Sequence, residues 1–99
     1  MEFYQRLYDE QEHVKTRFVG FTTEDVRYDF GIVHTTMFFG KPLVICMQTG
    51  RSALLDLSDL HDLDHLCRVF KLKSLDEAKV LAMFFEEALP ASYESVQYE

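Results

Sequence analysis

Four residues in one short connector carry the side chains with the clearest chemical potential. His34, Thr35 and Thr36 end a predicted strand, and Lys41 follows before the next strand begins. An imidazole and an ammonium group at one sheet end suit anion binding, or the imidazole serves as a base near neutral pH. The two hydroxyls add hydrogen-bond donors and acceptors. We therefore take these residues as candidate ligand-binding residues: His34, Thr35, Thr36 and Lys41.

A structural interpretation explains the same connector. His34 falls in register with apolar residues of its strand, so it also fits an inward-facing histidine held by hydrogen bonds. Phe38 and Phe39 then serve as a core plug and Gly40 as a turn residue. The pattern leaves both interpretations open.

A second polar cluster lies between residues 61 and 67. His61 and His65 are four residues apart, a spacing that suits two metal ligands on a helix. The zinc-protease pattern has Glu after the first His, where this chain has Asp62, and no second Cys/His pair completes a structural site. An ordinary exposed helix face accounts for these residues, so we expect no metal and no cofactor. No pattern marks a catalytic residue, although a lowered pKa for the Cys67 thiol beside Arg68 stays open.

Composition excludes several classes of protein. The chain has 99 residues and a net charge of −7, which disfavours binding to nucleic acid or to an anionic membrane surface. A small basic patch at Arg68, Lys71 and Lys73 keeps nucleic-acid binding as the least favoured alternative. Two cysteines are few for a disulfide scaffold. The first residues lack the features of a signal peptide, and no apolar run reaches the ~20 residues of a membrane span. We therefore expect a cytoplasmic protein without a membrane segment.

The first half of the chain predicts strands. Residues 16–22 are rich in aromatic and β-branched types, and residues 27–34 alternate with period two, so the two segments predict a hairpin. Leu43–Met47 is apolar at every position, which is typical of a central strand covered on both faces. After a turn at Gly50, residues 52–55 form a fourth strand. Arg51 is expected to make a surface ion pair near Glu24 and Asp25.

The second half predicts helix. Ser58 is a candidate N-cap for a helix, and the stretch 66–72 fits either a helix or a strand. Ser74 and Glu77 fit a capping box, an apolar stripe at helical spacing follows, and Pro90 ends the helix. These elements predict an α+β fold, an antiparallel sheet of four to five strands with a long C-terminal helix packed on one face. We expect a single domain over residues 1–99, with a core at about 14–89 and a loose tail at 91–99.

One long helix covers only one face of such a sheet. The fully apolar strand 43–47 requires cover on its other face as well. Either the N-terminal segment supplies it, through Phe3, Tyr4, Leu7 and Tyr8, or a second copy of the chain does. We expect a homodimer.

Several runs of residues together resemble a known family. They are Thr16-Arg17-Phe18-Val19, Tyr28-Asp29-Phe30, Ile32, His34-Thr35, Phe38-Phe39-Gly40-Lys41-Pro42-Leu43 and Gln48-Thr49-Gly50-Arg51. The chain resembles, over about residues 7–89, a family of small cytosolic proteins of Bacillus- and Staphylococcus-like Gram-positive bacteria, classed as a domain of unknown function. The resemblance implies a compact α+β fold and a bacterial cytosolic setting, and it implies no catalytic or binding residues.

The sequence therefore favours a non-enzymatic interaction or accessory protein that acts as a homodimer. The alternative is a small-ligand or enzymatic site at the sheet end that holds His34 and Lys41.

Overall fold

The computed structural model describes residues 3–89, which form four strands followed by two helices. The strands are β1 (Lys15–Thr22), β2 (Arg27–His34), β3 (Leu43–Cys46) and β4 (Ser52–Leu54). The helices are α1 (Leu63–Phe70) and α2 (Leu75–Ala88), and single 3₁₀ turns lie at Phe38–Gly40 and Leu57–His61. The fold is α+β, as predicted. The expected tail at 91–99 lies outside the described residues.

The four strands form one antiparallel meander in the order β1-β2-β3-β4. The predicted hairpin of the first two strands is confirmed, with Phe18 opposite Gly31. Gly31 in turn lies opposite Ile45 of β3, and Ile45 lies opposite Ser52 of β4. Because successive side chains point to opposite faces, these four residues form one row across a single face of the sheet.

Polar side chains cap the N-termini of both helices and fix where each helix begins. Asp62 caps α1 by accepting a bond from the His65 amide at 3.0 Å, so the prediction of a cap at Ser58 is wrong. The stretch 66–72, left open between strand and helix, is helical to Phe70 and ends at Lys71 in a left-handed conformation.

Ser74 caps α2 as predicted, through a 3.2 Å bond from the Glu77 amide to its hydroxyl. In the predicted capping box the Glu77 carboxylate accepts from the backbone amide of Ser74. In the structure it accepts instead from the amide of Lys73, one residue earlier, at 3.2 Å. The helix has 14 residues and is therefore shorter than the long helix expected. It ends at Ala88, two residues before Pro90, in agreement with the prediction that the proline stops it.

The core lies between one sheet face and the two helices. Phe30 at the centre of β2 is fully buried, and its ring meets Phe85 of α2 at 5.0 Å and Phe70 of α1 at 5.6 Å, both edge-on. Edge-to-face pairs of this kind add to the energy of area burial. At the sheet edge, Phe21 of β1 packs on Phe84 with ring centroids 4.4 Å apart. The aromatic residues thus hold both helices against the same face.

Two arginines, Arg17 of β1 and Arg51 just before β4, donate to carbonyl groups at helix C-termini. Arg17 donates to the Ala88 carbonyl of α2 at 2.7 Å. Arg51 donates to the Val69 and Arg68 carbonyls of α1 at 2.9 and 3.2 Å. The expected surface ion pair of Arg51 near Glu24 and Asp25 is therefore wrong. A cation next to the last carbonyls is also attracted to the negative end of the helix dipole, which stabilises the helix.

Phe30→Ala tests the role of the aromatic core. Removing this ring should lower the free energy of unfolding by about 3–5 kcal/mol, because a buried cavity replaces its contacts with four aromatic rings, those of Tyr28, Phe70, Phe84 and Phe85. Phe39→Ala removes the same side chain from a fully exposed position and should change it by only about 0.5 kcal/mol. Urea unfolding followed by circular dichroism measures both, and equal losses for the two variants would contradict this account of the core.

Candidate functional site

The sheet face that points away from the helices is apolar and accessible. We call it the outer face, and its apolar members are Phe18, Gly31, Val33, Leu43, Ile45, Met47 and Leu54. Phe18 is 76% exposed and Met47 is 54% exposed, while Leu43 and Ile45 are half-buried by their neighbours. Both helices pack on the opposite face, through Phe30, Val44 and Cys46. Within residues 3–89, therefore, the central strand β3 is covered on one face only.

Gly31 explains how the Phe18 ring lies on this face. A Cβ atom added to Gly31 would stand 3.4 Å from Cε1 of Phe18 and 3.9 Å from the Met47 sulfur. The Phe18 ring and the Met47 thioether therefore lie over the outer side of Gly31, and Gly31 is buried. The absence of a side chain at position 31 lets an exposed aromatic lie across the sheet, and it makes the surface smooth and apolar.

Charge on the outer face is internally compensated. By strand alternation, only Arg27 and Asp29 place ionised groups on this face within the four strands. Arg27 Nε lies 2.9 Å from the Asp29 carboxylate, which also accepts from the Gln48 amide at 2.7 Å. The Arg27 guanidinium, then Gln48, hold the pKa of Asp29 below its usual range. The face therefore carries no net charge in a chain whose total is −7.

Residues 3–14, here called the N-terminal arm, lead into β1 without covering the outer face. Four large side chains of the arm are between 58% and 91% exposed: Phe3, Tyr4, Leu7 and Tyr8. The idea that these residues supply the missing cover within one chain is therefore wrong. The arm has no helix or strand over its described residues.

Glu12 attaches the end of the arm to two of the predicted site residues. Its carboxylate accepts from the Thr35 hydroxyl at 2.5 Å, from the Thr36 amide at 2.8 Å and from the Thr36 hydroxyl at 2.9 Å. The Thr35 bond, followed by those from Thr36, lowers the pKa of Glu12. Both threonine hydroxyls are thus donors to the chain's own carboxylate.

Lys41, the fourth predicted site residue, pairs with a different segment of the chain from the one that Thr35 and Thr36 contact. Its ammonium group lies 3.1 Å from the Asp59 carboxylate in the second 3₁₀ turn, and this bond raises the pKa of Lys41. Asp59 also accepts from the Asp56 amide at 2.9 Å. Lys41 therefore ties the β2–β3 connector to the segment that precedes α1.

His34 is half-buried at the end of β2 and pairs in register with Lys15. Burial, followed by the positive charges of Arg17 and Lys15, lowers the pKa of His34. The imidazole is therefore neutral near pH 7, which suits a base better than an anion-binding cation. The small-ligand site at His34, Thr35, Thr36 and Lys41 stays a prediction, and a ligand there would compete with Glu12 for the threonines and with Asp59 for the lysine.

The aromatic pair of the connector does not enter the core. Phe38 is about half exposed and Phe39 is fully exposed, so the interpretation of these residues as a core plug is wrong. Both residues, with Gly40, adopt positive φ angles of 54°, 65° and 74°. The expected turn at Gly40 is present, and the left-handed stretch turns both phenylalanines outward.

A pocket of about 220 Å³ lies at the other end of the sheet, and the sequence patterns did not indicate it. The Tyr28 hydroxyl donates to Glu77 at 2.8 Å in its wall, and burial raises the pKa of Tyr28. Its lining joins the β1–β2 turn to the start of α2, and consists of Thr23, Asp25, Val26, Tyr28, Asp76, Glu77 and Val80. The pocket depends on a contact across 49 positions of sequence, which no local pattern signals.

Around α1 lie the histidines, the thiol and the basic side chains in which the sequence offered a metal site, a reactive cysteine and a basic patch. His61 and His65 lie in different elements, because Asp62 separates the 3₁₀ turn from α1, so they do not share one helix face. No three His, Cys, Asp or Glu side chains within residues 3–89 form a metal-binding group. The half-buried Cys67 thiol donates to the Ser74 carbonyl at 3.4 Å. Arg68, Lys71 and Lys73 are exposed around the end of α1.

A family model described as SAV0927-like matches residues 7–87. The chain belongs to the SAV0927-like family. This is a small family of unknown function, named after a Staphylococcus aureus gene. The match spans nearly the stretch over which the sequence resembles a family of unknown function, and it includes the outer face and most of the arm. No curated protein matches the chain.

Over residues 3–89, neither helix of this SAV0927-like protein has the length and apolar character that a membrane crossing requires. The cytoplasmic location stays an expectation.

The threonine bonds of Glu12 predict how this carboxylate titrates. Its pKa should lie below the ordinary 4.5, because three hydrogen bonds favour the charged form. In a variant with Thr35→Val and Thr36→Val the pKa should rise toward 4.5. Carbon-13 NMR of the side-chain carboxyl group measures both values. An ordinary pKa in the unmodified chain would show that the arm is not attached at Glu12.

The lowered pKa of His34 predicts a loss of stability in mild acid. The unfolded chain takes up a proton on His34 near pH 6.5, while the folded chain takes it up only at lower pH. The free energy of unfolding should therefore fall as the pH decreases through about 6.5 and then toward the folded pKa. His34→Gln should reduce this slope. Identical pH profiles for the two proteins, measured by urea unfolding, would contradict the assignment.

Proposed function

We propose that this SAV0927-like protein is a non-enzymatic interaction or accessory protein that acts as a homodimer. A second copy of the chain covers the outer face. The observation that carries the proposal is the central strand β3, whose Val44 and Cys46 are buried on the helix side while Ile45 and Met47 stay accessible on the other.

The apolar character of the outer face supports an interface. Phe18 and Met47 are large exposed side chains next to the half-buried Val33, Leu43 and Ile45. Contiguous apolar surface of this kind on a small protein marks a contact site, because leaving it in water costs free energy that association recovers.

The charge distribution supports a second copy as the occupant. Because each chain has a net charge of −7, two copies repel each other in most relative orientations. This repulsion is small at the outer face, because its only ionised strand residues, Arg27 and Asp29, neutralise each other at 2.9 Å. Two copies therefore come together there without bringing unpaired carboxylates into contact.

The polar residues at the sheet end support a non-enzymatic role. Thr35 and Thr36 donate to Glu12, and Lys41 pairs with Asp59. Each group thus has a partner in its own chain and stabilises a connection between segments. An active site instead requires polar groups that converge on a substrate-sized cavity.

Met47→Lys tests the proposal, with Met83→Lys as a matched control. Both methionines are more than half exposed, but Met83 lies on α2, in the helix layer. The substitutions are identical, and each makes the net charge less negative, so general repulsion cannot explain a loss of association. Met47→Lys should raise the dissociation constant of the dimer by about tenfold or more, and Met83→Lys should leave it within about twofold.

Sedimentation equilibrium over a concentration series makes this measurement. The unmodified chain should show twice the chain mass of 11.7 kDa at micromolar concentration. A monomer at every concentration would overturn the proposal. So would a dimer that the two lysine variants weaken equally.

A further inference from the structure

We propose that the N-terminal arm of each copy docks on the outer face of the other copy, so that the homodimer is built by reciprocal exchange of arms. This inference rests on the proposed function and names the segment that covers the face. The two observations behind it are the exposed apolar side chains of the arm and the uncovered apolar face, both present in the same chain.

The arm carries an apolar stripe that its own chain does not use. Phe3, Tyr4, Leu7 and Tyr8 recur at the spacing of one helix face, and the residues between them are polar or charged. All four are more than half exposed in the single chain. Arg6 and Asp9, on the polar side, already make an ion pair at 3.1 Å with the spacing of neighbours on a helix.

The length of the arm explains why the stripe requires a partner. A segment of about eight residues is too short to hold a helix in water by itself, because nucleation costs more than its few hydrogen bonds return. The arm accordingly has no helix in the single chain. An apolar surface that buries the stripe supplies the missing stabilisation.

Glu12 determines where the arm leaves the domain. Its bonds to Thr35 and Thr36 hold residue 12 at the end of β2, at the edge where β1 begins. Beyond this point the arm projects from the domain, with its apolar side chains exposed. A projecting arm is able to reach a neighbouring copy, and two-fold symmetry makes the same contact twice and closes the assembly at two chains.

The buried area is sufficient for a stable dimer. Aromatic side chains bury roughly 150–250 Å² each, so Phe3, Tyr4 and Tyr8 bury about 450–750 Å² per arm when they are fully covered. Two reciprocal arms then contribute about 900–1,500 Å², before Leu7 and the area of the two outer faces are counted. Specific protein–protein interfaces bury about 1,200–2,000 Å² in total, so the exchange meets this requirement.

Leu7→Lys tests the arm, with Gln5→Lys as its control. Leu7 lies in the apolar stripe and Gln5 lies on the polar side, and each substitution adds one positive charge to the same exposed segment. Neither residue belongs to the core, so both variants should fold. In sedimentation equilibrium, Leu7→Lys should raise the dissociation constant by about tenfold or more, and Gln5→Lys should change it by less than about twofold.

A cross-linking experiment identifies the contact directly. One protein carries Leu7→Cys and a second, isotopically labelled protein carries Met47→Cys, both with Cys67→Ser to remove the partly accessible native thiol, whereas Cys46 is buried. The two are mixed, treated with a short bismaleimide and analysed by intact mass. The labelled and unlabelled chains should be joined. Mixing Leu7→Cys with Met83→Cys should give no such product.

The outcomes separate this inference from the proposed function. A dimer that Met47→Lys dissociates and Leu7→Lys leaves intact would overturn arm exchange, while the outer face would still be the interface. That result would fit direct packing of two outer faces. A dimer that both variants dissociate, together with the Leu7–Met47 cross-link, supports arm exchange. A monomeric unmodified chain would overturn both proposals.

Discussion

The packing of the two helices against Phe30 is the interaction on which the rest of the structure depends. The Phe30 ring contacts Phe70 of α1 and Phe85 of α2, so both helices are attached to the same face of the sheet. The helices have only 8 and 14 residues, and none of that helical surface lies on the other face. One face of the sheet therefore becomes the core, and the opposite face is left apolar and accessible.

Because one face of the sheet is uncovered, a dimer interface there explains three features that the packing of a single chain does not explain. Phe18 lies exposed across Gly31, although a polar residue would suit solvent better. Arg27 and Asp29 neutralise each other on the same face of a strongly acidic chain. Glu12 is held by three hydrogen bonds, yet the apolar residues that precede it contact little of their own domain. In a dimer with exchanged arms, each of these features contributes to one interface.

Most of the fold could be predicted because its signals are local. The alternation from Tyr28 to His34 sets which side chains of β2 face the helices, and Ser74 fixes the start of α2 within one turn. The surroundings of the candidate site could not be predicted in the same way. Thr35 bonds to Glu12 across 23 positions and Lys41 bonds to Asp59 across 18, so neither pairing leaves a periodic pattern. The partners of Arg51 could not be predicted for the same reason, since they are carbonyl groups of α1, distant in sequence from the turn that precedes β4. The apolar pattern of residues 43–47 predicts cover on both faces of β3, and within residues 3–89 only the face toward the helices is covered.

Isotope-filtered NMR on a mixed sample tests the central claim most directly. One half of the chains carries labelled methyl groups at isoleucine and methionine, and the other half is unlabelled, so every filtered contact joins two different chains. The outer-face account predicts intermolecular contacts from the Ile45 and Met47 methyl groups and none from Met83 on α2. Contacts confined to Met83, or no intermolecular contacts at concentrations well above micromolar, would contradict it.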